Sequence, residues 1–137
     1  MTDTQPATVS AIPPTAFPVR SGGPIIWLRL EGLAVLIAAV LSYAHGHHSW
    51  ILFAVLLLLP DISFAGYLAG PRIGAMCYNL LHSYASALLL AAVLFATGSS
   101  PAIALIWIAH IDMDRALGYG LKYASSFNDT HLGKIGK

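Results

Sequence analysis

What this sequence has least of is charge. Of its 137 residues, 9% are Asp, Glu, Lys or Arg and 57% are hydrophobic. A soluble domain carries about 25% charged residues, so the composition excludes an ordinary water-soluble globule, and the mean hydropathy of +0.71 points the same way. Basic clusters are missing too. The seven Lys and Arg are scattered and the net charge is +1, which excludes nucleic acid as a partner because there is no basic stripe to meet phosphates. Cys77 is the only cysteine. It can form no intrachain disulfide, and no CxxC pair offers thiolates to a metal. Inside an apolar run it reads as a small packing residue.

What is present is four long apolar runs, roughly 24–43, 50–68, 73–96 and 101–119. About 20 apolar residues cross a hydrocarbon core of ~30 Å. The expected fold is all-α: an integral membrane protein whose four transmembrane helices form an antiparallel bundle over 24–120. A Pro-, Thr- and Ser-rich stretch, 1–23, precedes it and reads as a disordered tail, with no basic region and short apolar core to suggest a signal peptide. A polar tail, 121–137, follows at the cytoplasmic face or interface. Pro24 suits a first helical turn. Pro60 removes a backbone donor and predicts a kink beside Asp61. The third run reads as one unbroken helix, with Asn79, His82, Ser83 and Ser86 on one face. The loop HGHHS at 45–49 has three histidines close enough to bind a metal, but Gly46 and the short spacing define no coordination geometry, and it reads as a short polar turn.

The acids are in the wrong place for solubility. There are six, and Glu31, Asp61, Asp112 and Asp114 lie inside or at the ends of apolar runs. Charge at the centre of a membrane helix costs at least ~2.5–3.5 kcal/mol, and such groups face protein or water, pair with each other and mark function. The last run is the densest: WIAHIDMDRALGYGLK at 107–122 carries His110, Asp112, Asp114 and Arg115. His110 and Asp114 are four apart and share a helix face. Asp112 points elsewhere, toward an Arg or the headgroups.

Arg20, Arg29, Arg72, Arg115, Lys122, Lys134 and Lys137 flank the runs so that the first and third loops carry no Lys or Arg. The positive-inside rule then places both termini in the cytoplasm of a multi-pass protein of the bacterial inner membrane. Depth follows from the helical rise of ~1.5 Å per residue. Glu31, Asp61, Asn79, His82, His110 and Asp114 all fall roughly 10–18 Å from the inner boundary. Four separate runs thus bring their polar groups to one level, where chance would scatter them.

Two histidines and two or three carboxylates at one level are a ligand set. Without thiolates the set suits Zn, Fe or Mn, and helix bundles build metal sites from such inward residues. Asp61, His82, His110 and Asp114 are the expected ligands of a divalent metal, with Glu31 as a further ligand or general base. A metal-activated water could then attack a lipid or isoprenoid ester. No spacing here has the specificity of HExxH, so two other readings stand. One is a structural or assembly protein, open to a homo-oligomer or a membrane partner protein, whose polar contacts hold helices together at ~0.6 kcal/mol each. The other is a proton or ion relay. Asn79, Arg115 and His131 complete the polar set. His131, with Phe127 and Leu132 beside it, predicts a tail that folds back over the cytoplasmic mouth of the cluster.

The ending HIDMDRALGYGLKYASSFNDTHLGKIG, the middle PDISFAGYLAGPRIGAMCYNLLH and the start RLEGLAVL resemble a family of small four-helix bacterial integral membrane proteins classed as a domain of unknown function. The likeness covers about 28–136 and singles out Glu31, Asp61, Asn79, His82, His110, Asp114, Arg115 and His131. It implies the architecture and names no reaction. A fainter likeness, to bacterial membrane-bound metal-dependent hydrolases that also combine Pro-Asp with helical His and Asp, implies hydrolysis with membrane lipid as partner.

Overall fold

The structure is a computed structural model and describes residues 22–136. The expected tail therefore lies, up to residue 21, outside the described residues. Helix α1 spans Gly23–His45 with Pro24 in its first turn. Helix α2, Trp50–Leu56, starts at Ser49, whose hydroxyl accepts from the Leu52 amide. The chain then runs as a 3-10 helix over Leu59–Ala69. Helices α3, Pro71–Leu81, and α4, Tyr84–Ala96, follow. Helix α5, Ala102–Leu117, is succeeded by a two-residue hairpin, β1 Asp129–Thr130 and β2 Gly133–Lys134.

The helices are lined with outward-facing apolar side chains. Ile26, Leu41, Ile51, Leu68, Leu89 and Phe95 are all exposed, a surface that lipid tolerates and water does not. The stretches Gly23–His45 and Trp50–Ala69 are long and apolar enough to cross a membrane, and the bent pair α3–α4 adds a third if it counts as one span. Helix α5 is different. Its sixteen residues reach about 24 Å, and Ala102, Ala104, Ile106, Ala109, His110, Ile111 and Asp112 along it are buried. It is the strut on which α1, α2 and α4 pack. Helix α1 runs antiparallel to it: Gly32 lies against Arg115 and Asp112, while Tyr43 joins Ala102 and Ile106 in an apolar cluster. A Cβ on Gly32 would sit 2.9 Å from Arg115 Cβ, so this glycine sets how close the two helices come.

The structure departs from the expected straight spans at two places. At Pro60 the expected kink takes the form of a change of helix type. Proline has no N–H for the Leu56 carbonyl, and the chain tightens, with the Asp61 amide donating to Leu58 at 3.2 Å. In a 3-10 helix side chains three apart eclipse, so Pro60, Ser63 and Gly66 form one row and Asp61, Phe64 and Tyr67 the next. Both rows meet α3 through the hairpin at Gly70. Gly66 abuts Cys77, Phe64 stacks on Tyr78 at 5.4 Å, and the Tyr67 ring fills the space beside Gly74.

The second departure corrects the reading of 73–96 as one helix. The chain breaks at His82 (φ −106°, ψ 16°) and Ser83 (φ −99°, ψ 148°), and α3 and α4 meet at 41°. Asn79, His82, Ser83 and Ser86 therefore do not share one face. A break in an apolar surround must satisfy the backbone groups it frees. The Trp107 indole donates to the Leu81 carbonyl at 2.7 Å, and the Ser86 hydroxyl to the Ser83 carbonyl at 2.9 Å.

The tail folds back as expected. The Asn79 side-chain amide donates to the Lys122 carbonyl at 2.9 Å and accepts from the Lys122 amide at 2.7 Å. Lys122 pairs with Thr130 across a β-bridge, and Phe127 packs against Phe64 and Tyr67. The Lys122 ammonium lies over the rings of Phe127 and Tyr78. Burial pushes its pKa below the usual lysine value, and Asp114 opposes that shift.

Two outcomes follow from this packing. Gly66→Val would drive methyl groups into Cys77 where a Cβ alone reaches 2.8 Å. It should cost about 1–3 kcal/mol, read as a lower melting temperature in detergent. Asn79→Ala strands both backbone groups of Lys122, at about 1–3 kcal/mol. Trypsin should then cut after Lys122, which is buried in the wild type, several-fold faster.

Candidate metal centre

Three elements converge on one point. Asp61 comes from the first turn of the 3-10 helix, His82 from the residue that ends α3, and His110 and Asp114 from successive turns of α5. The Nε2 atoms of His82 and His110 lie 3.0 Å apart. Asp61 Oδ1 is 3.4 Å from His82 Nε2 and 3.6 Å from His110 Nε2, and Asp114 Oδ2 is 3.6 Å from His82 Nε2. One donor atom from each residue fits within 4.8 Å of all the others. Both histidines are buried, Asp114 nearly so, and Asp61 is one-third exposed.

Tyr78 organises the group. The carbonyl of Tyr78 lies 2.9 Å from His82 Nδ1. A carbonyl only accepts, so Nδ1 carries the proton and Nε2 presents a lone pair toward Asp61, His110 and Asp114. The Tyr78 hydroxyl donates to Asp114 Oδ2 at 2.7 Å, and the Tyr78 ring stacks on His82 with centroids 3.7 Å apart. His110 Nδ1 has no hydrogen-bond partner among the described residues, and no Lys or Arg lies within ion-pair distance of Asp61 or Asp114 among them. The four donors are thus held without a protein cation.

The structure separates the other expected residues from this group. Asn79 is spent on the Lys122 backbone. Glu31, Arg115 and His131 line a different cavity with Tyr84. His131 does not cover the four-residue group: its Nδ1 accepts from the Leu121 amide at 2.8 Å, and from the same tail Phe127 and Lys122 cover Tyr78 instead. Asp112 does not approach the headgroups. It is fully buried, and the Tyr84 hydroxyl donates to its Oδ1 while Oδ2 has no partner among the described residues. The HGHHS loop joins no group of metal-capable side chains among the described residues. Tyr78 and Tyr84 do not stand out in the sequence because tyrosine is unexceptional in an apolar run. The one signal was the spacing of Tyr78 four residues before His82.

Residues 25–135 match the family model described as Domain of unknown function (DUF4260). The chain belongs to that family. No curated protein and no solved structure matches it. Membership of an uncharacterised family is what the sequence led us to expect. In this DUF4260 chain, the matched segment holds all four clustered residues together with Tyr78 and Tyr84.

The Asp112–Tyr84 pair can be tested without reference to any metal. Tyr84→Phe removes the one hydrogen bond that the Asp112 side chain makes among the described residues. A buried carboxyl left unpaired should destabilise the fold by about 1–3 kcal/mol, read as a drop in the detergent melting temperature.

Proposed function

We propose that this chain is a metal-dependent hydrolase of lipid-like esters in the bacterial inner membrane, with Asp61, His82, His110 and Asp114 holding one divalent Zn, Fe or Mn. The observation that carries this reading is the donor spacing. Four ligands about 2.0–2.2 Å from a shared centre sit roughly 3.3–3.6 Å apart when tetrahedral; four of the six separations here run from 3.0 to 3.6 Å, and all six lie within 4.8 Å. The donor chemistry agrees: two imidazoles and two carboxylates form a borderline set without thiolates. Tyr78 supplies the outer partners that orient metal ligands, a carbonyl for His82 and a hydroxyl for Asp114. A metal in this position supplies Lewis acidity and lowers the pKa of a water. Asp61, the most exposed of the four, marks the side from which water and substrate enter. Phospholipid and isoprenoid esters suit a site reached at acyl-chain depth.

The same reading gives the chain four crossings with both termini in the cytoplasm. The apolar runs and the Lys and Arg placement support it, with α5 as the short inner crossing shielded by its neighbours. Glu31 stays outside the donor set, since it lines a separate cavity.

One observation favours a second reading, in which the cluster is helix-packing glue. The 3.0 Å between the two Nε2 atoms is also hydrogen-bond length, with His110 Nε2–H donating to His82. Metal content separates the two. Purified without a histidine tag or added metal, the wild type should carry about one metal per chain. His110→Ala should lose it and Glu31→Gln should keep it. A substoichiometric wild type, or a content unchanged by His110→Ala, assigns the cluster to packing. Ester hydrolysis that disappears with the metal then identifies the reaction.

A further inference from the structure

The cavity beside the metal group has a chemistry of its own. It encloses about 350 Å³ between α1, α4, α5 and the folded-back tail, within the size range of small-ligand pockets. Its walls are Leu28, Glu31, Val35, Tyr84, Arg115 and His131, with Leu132 beneath. The two charged side chains carry opposite signs, yet they form no ion pair with each other or with any other described residue. Arg115 is held in place by its guanidinium lying 4.0 Å over the Tyr84 ring. Its donors are thus not used on a carboxylate among the described residues. Glu31, one turn above Leu28 and one below Val35, shares the edge of α1 with exposed apolar side chains. Asp61, His82, His110 and Asp114 do not line this cavity, so it and the metal group are distinct sites, while Asp112 lies behind its wall on Tyr84.

We propose that this cavity binds a phosphoethanolamine group, with Arg115 and His131 on the phosphate and Glu31 on the ammonium. Guanidinium forks match phosphate oxygens, and a carboxylate accepts from a primary ammonium that still has N–H donors. A zwitterion also explains why a site near neutral overall keeps its own Arg and Glu apart. Leu28 and Val35 continue the cavity wall along α1 into its exposed apolar face, which is where acyl chains would lie. The group can therefore come from a phosphatidylethanolamine lipid, or from free phosphoethanolamine. The inference does not rest on metal binding.

The test reconstitutes the full chain with equal parts phosphatidylethanolamine, phosphatidylcholine and phosphatidylglycerol. Lipid retained after detergent extraction is then read by native mass spectrometry. Phosphatidylethanolamine should be retained in preference to both others by about tenfold, the factor expected for one lost charge-assisted contact. Glu31→Gln should abolish the preference over phosphatidylglycerol, and Arg115→Gln should lower retention of all three. Glu31 is exposed and makes no hydrogen bond among the described residues, so its variant should fold, which circular dichroism checks. A second arm titrates free phosphoethanolamine against inorganic phosphate. If only the free compound binds, and Glu31→Gln weakens it, the chemistry stands and the source is soluble. Equal retention of the three lipids with no binding of free phosphoethanolamine overturns the proposal, as does a preference unchanged by Glu31→Gln.

Discussion

The structure depends on burying ionisable groups in a chain that has little else to neutralise them. His110 and Asp112 are fully enclosed on α5, the helix that touches most of the others. In such surroundings an unpaired polar group is expensive, and water is not at hand to relieve it. Each is met, at one of its polar atoms, by a side chain from a different element. Tyr84 meets Asp112, Tyr78 meets Asp114, and His82 meets His110. These contacts fix where α3 and α4 dock on α5.

The helix interruptions serve the same end. An unbroken α-helix through Pro60 would present a different residue every 100°, and Asp61, Phe64 and Tyr67 would not line up on α3. The 3-10 geometry puts them in register. The break at His82 lets its ring turn into the cluster while its Nδ1 reaches back to the Tyr78 carbonyl. The backbone carbonyl freed at Leu81 is taken by Trp107 of α5, so the helix that carries two of the clustered residues also stabilises the break that delivers a third.

The tail closes the assembly. It is polar, yet Lys122, Thr130 and Leu132 are buried. Asn79 holds the Lys122 backbone as a neighbouring strand would, and Lys122 spreads its charge over two aromatic rings. The same fold-back walls off the Glu31 and Arg115 cavity through His131 and Leu132. The Arg29 side chain, which donates to the Ala116 carbonyl at 2.9 Å, satisfies one of the carbonyls left open at the end of α5.

The sequence alone determined the apolar character of the helices and singled out Asp61, His82, His110 and Asp114, which the structure brings together. Apolar runs, and the polar residues that interrupt them, are local features of the chain and can be read without knowing any neighbour. Only the tertiary structure decided which of the polar groups meet. It sent Glu31 and His131 to a second cavity, gave Asn79 to the tail, buried Asp112 against Tyr84, and broke the helix at His82. Those outcomes depend on the azimuth of each helix and on hydrogen bonds lent by other elements, such as the Trp107 indole at Leu81. A partner more than twenty residues away leaves no trace in the local pattern of the chain it stabilises.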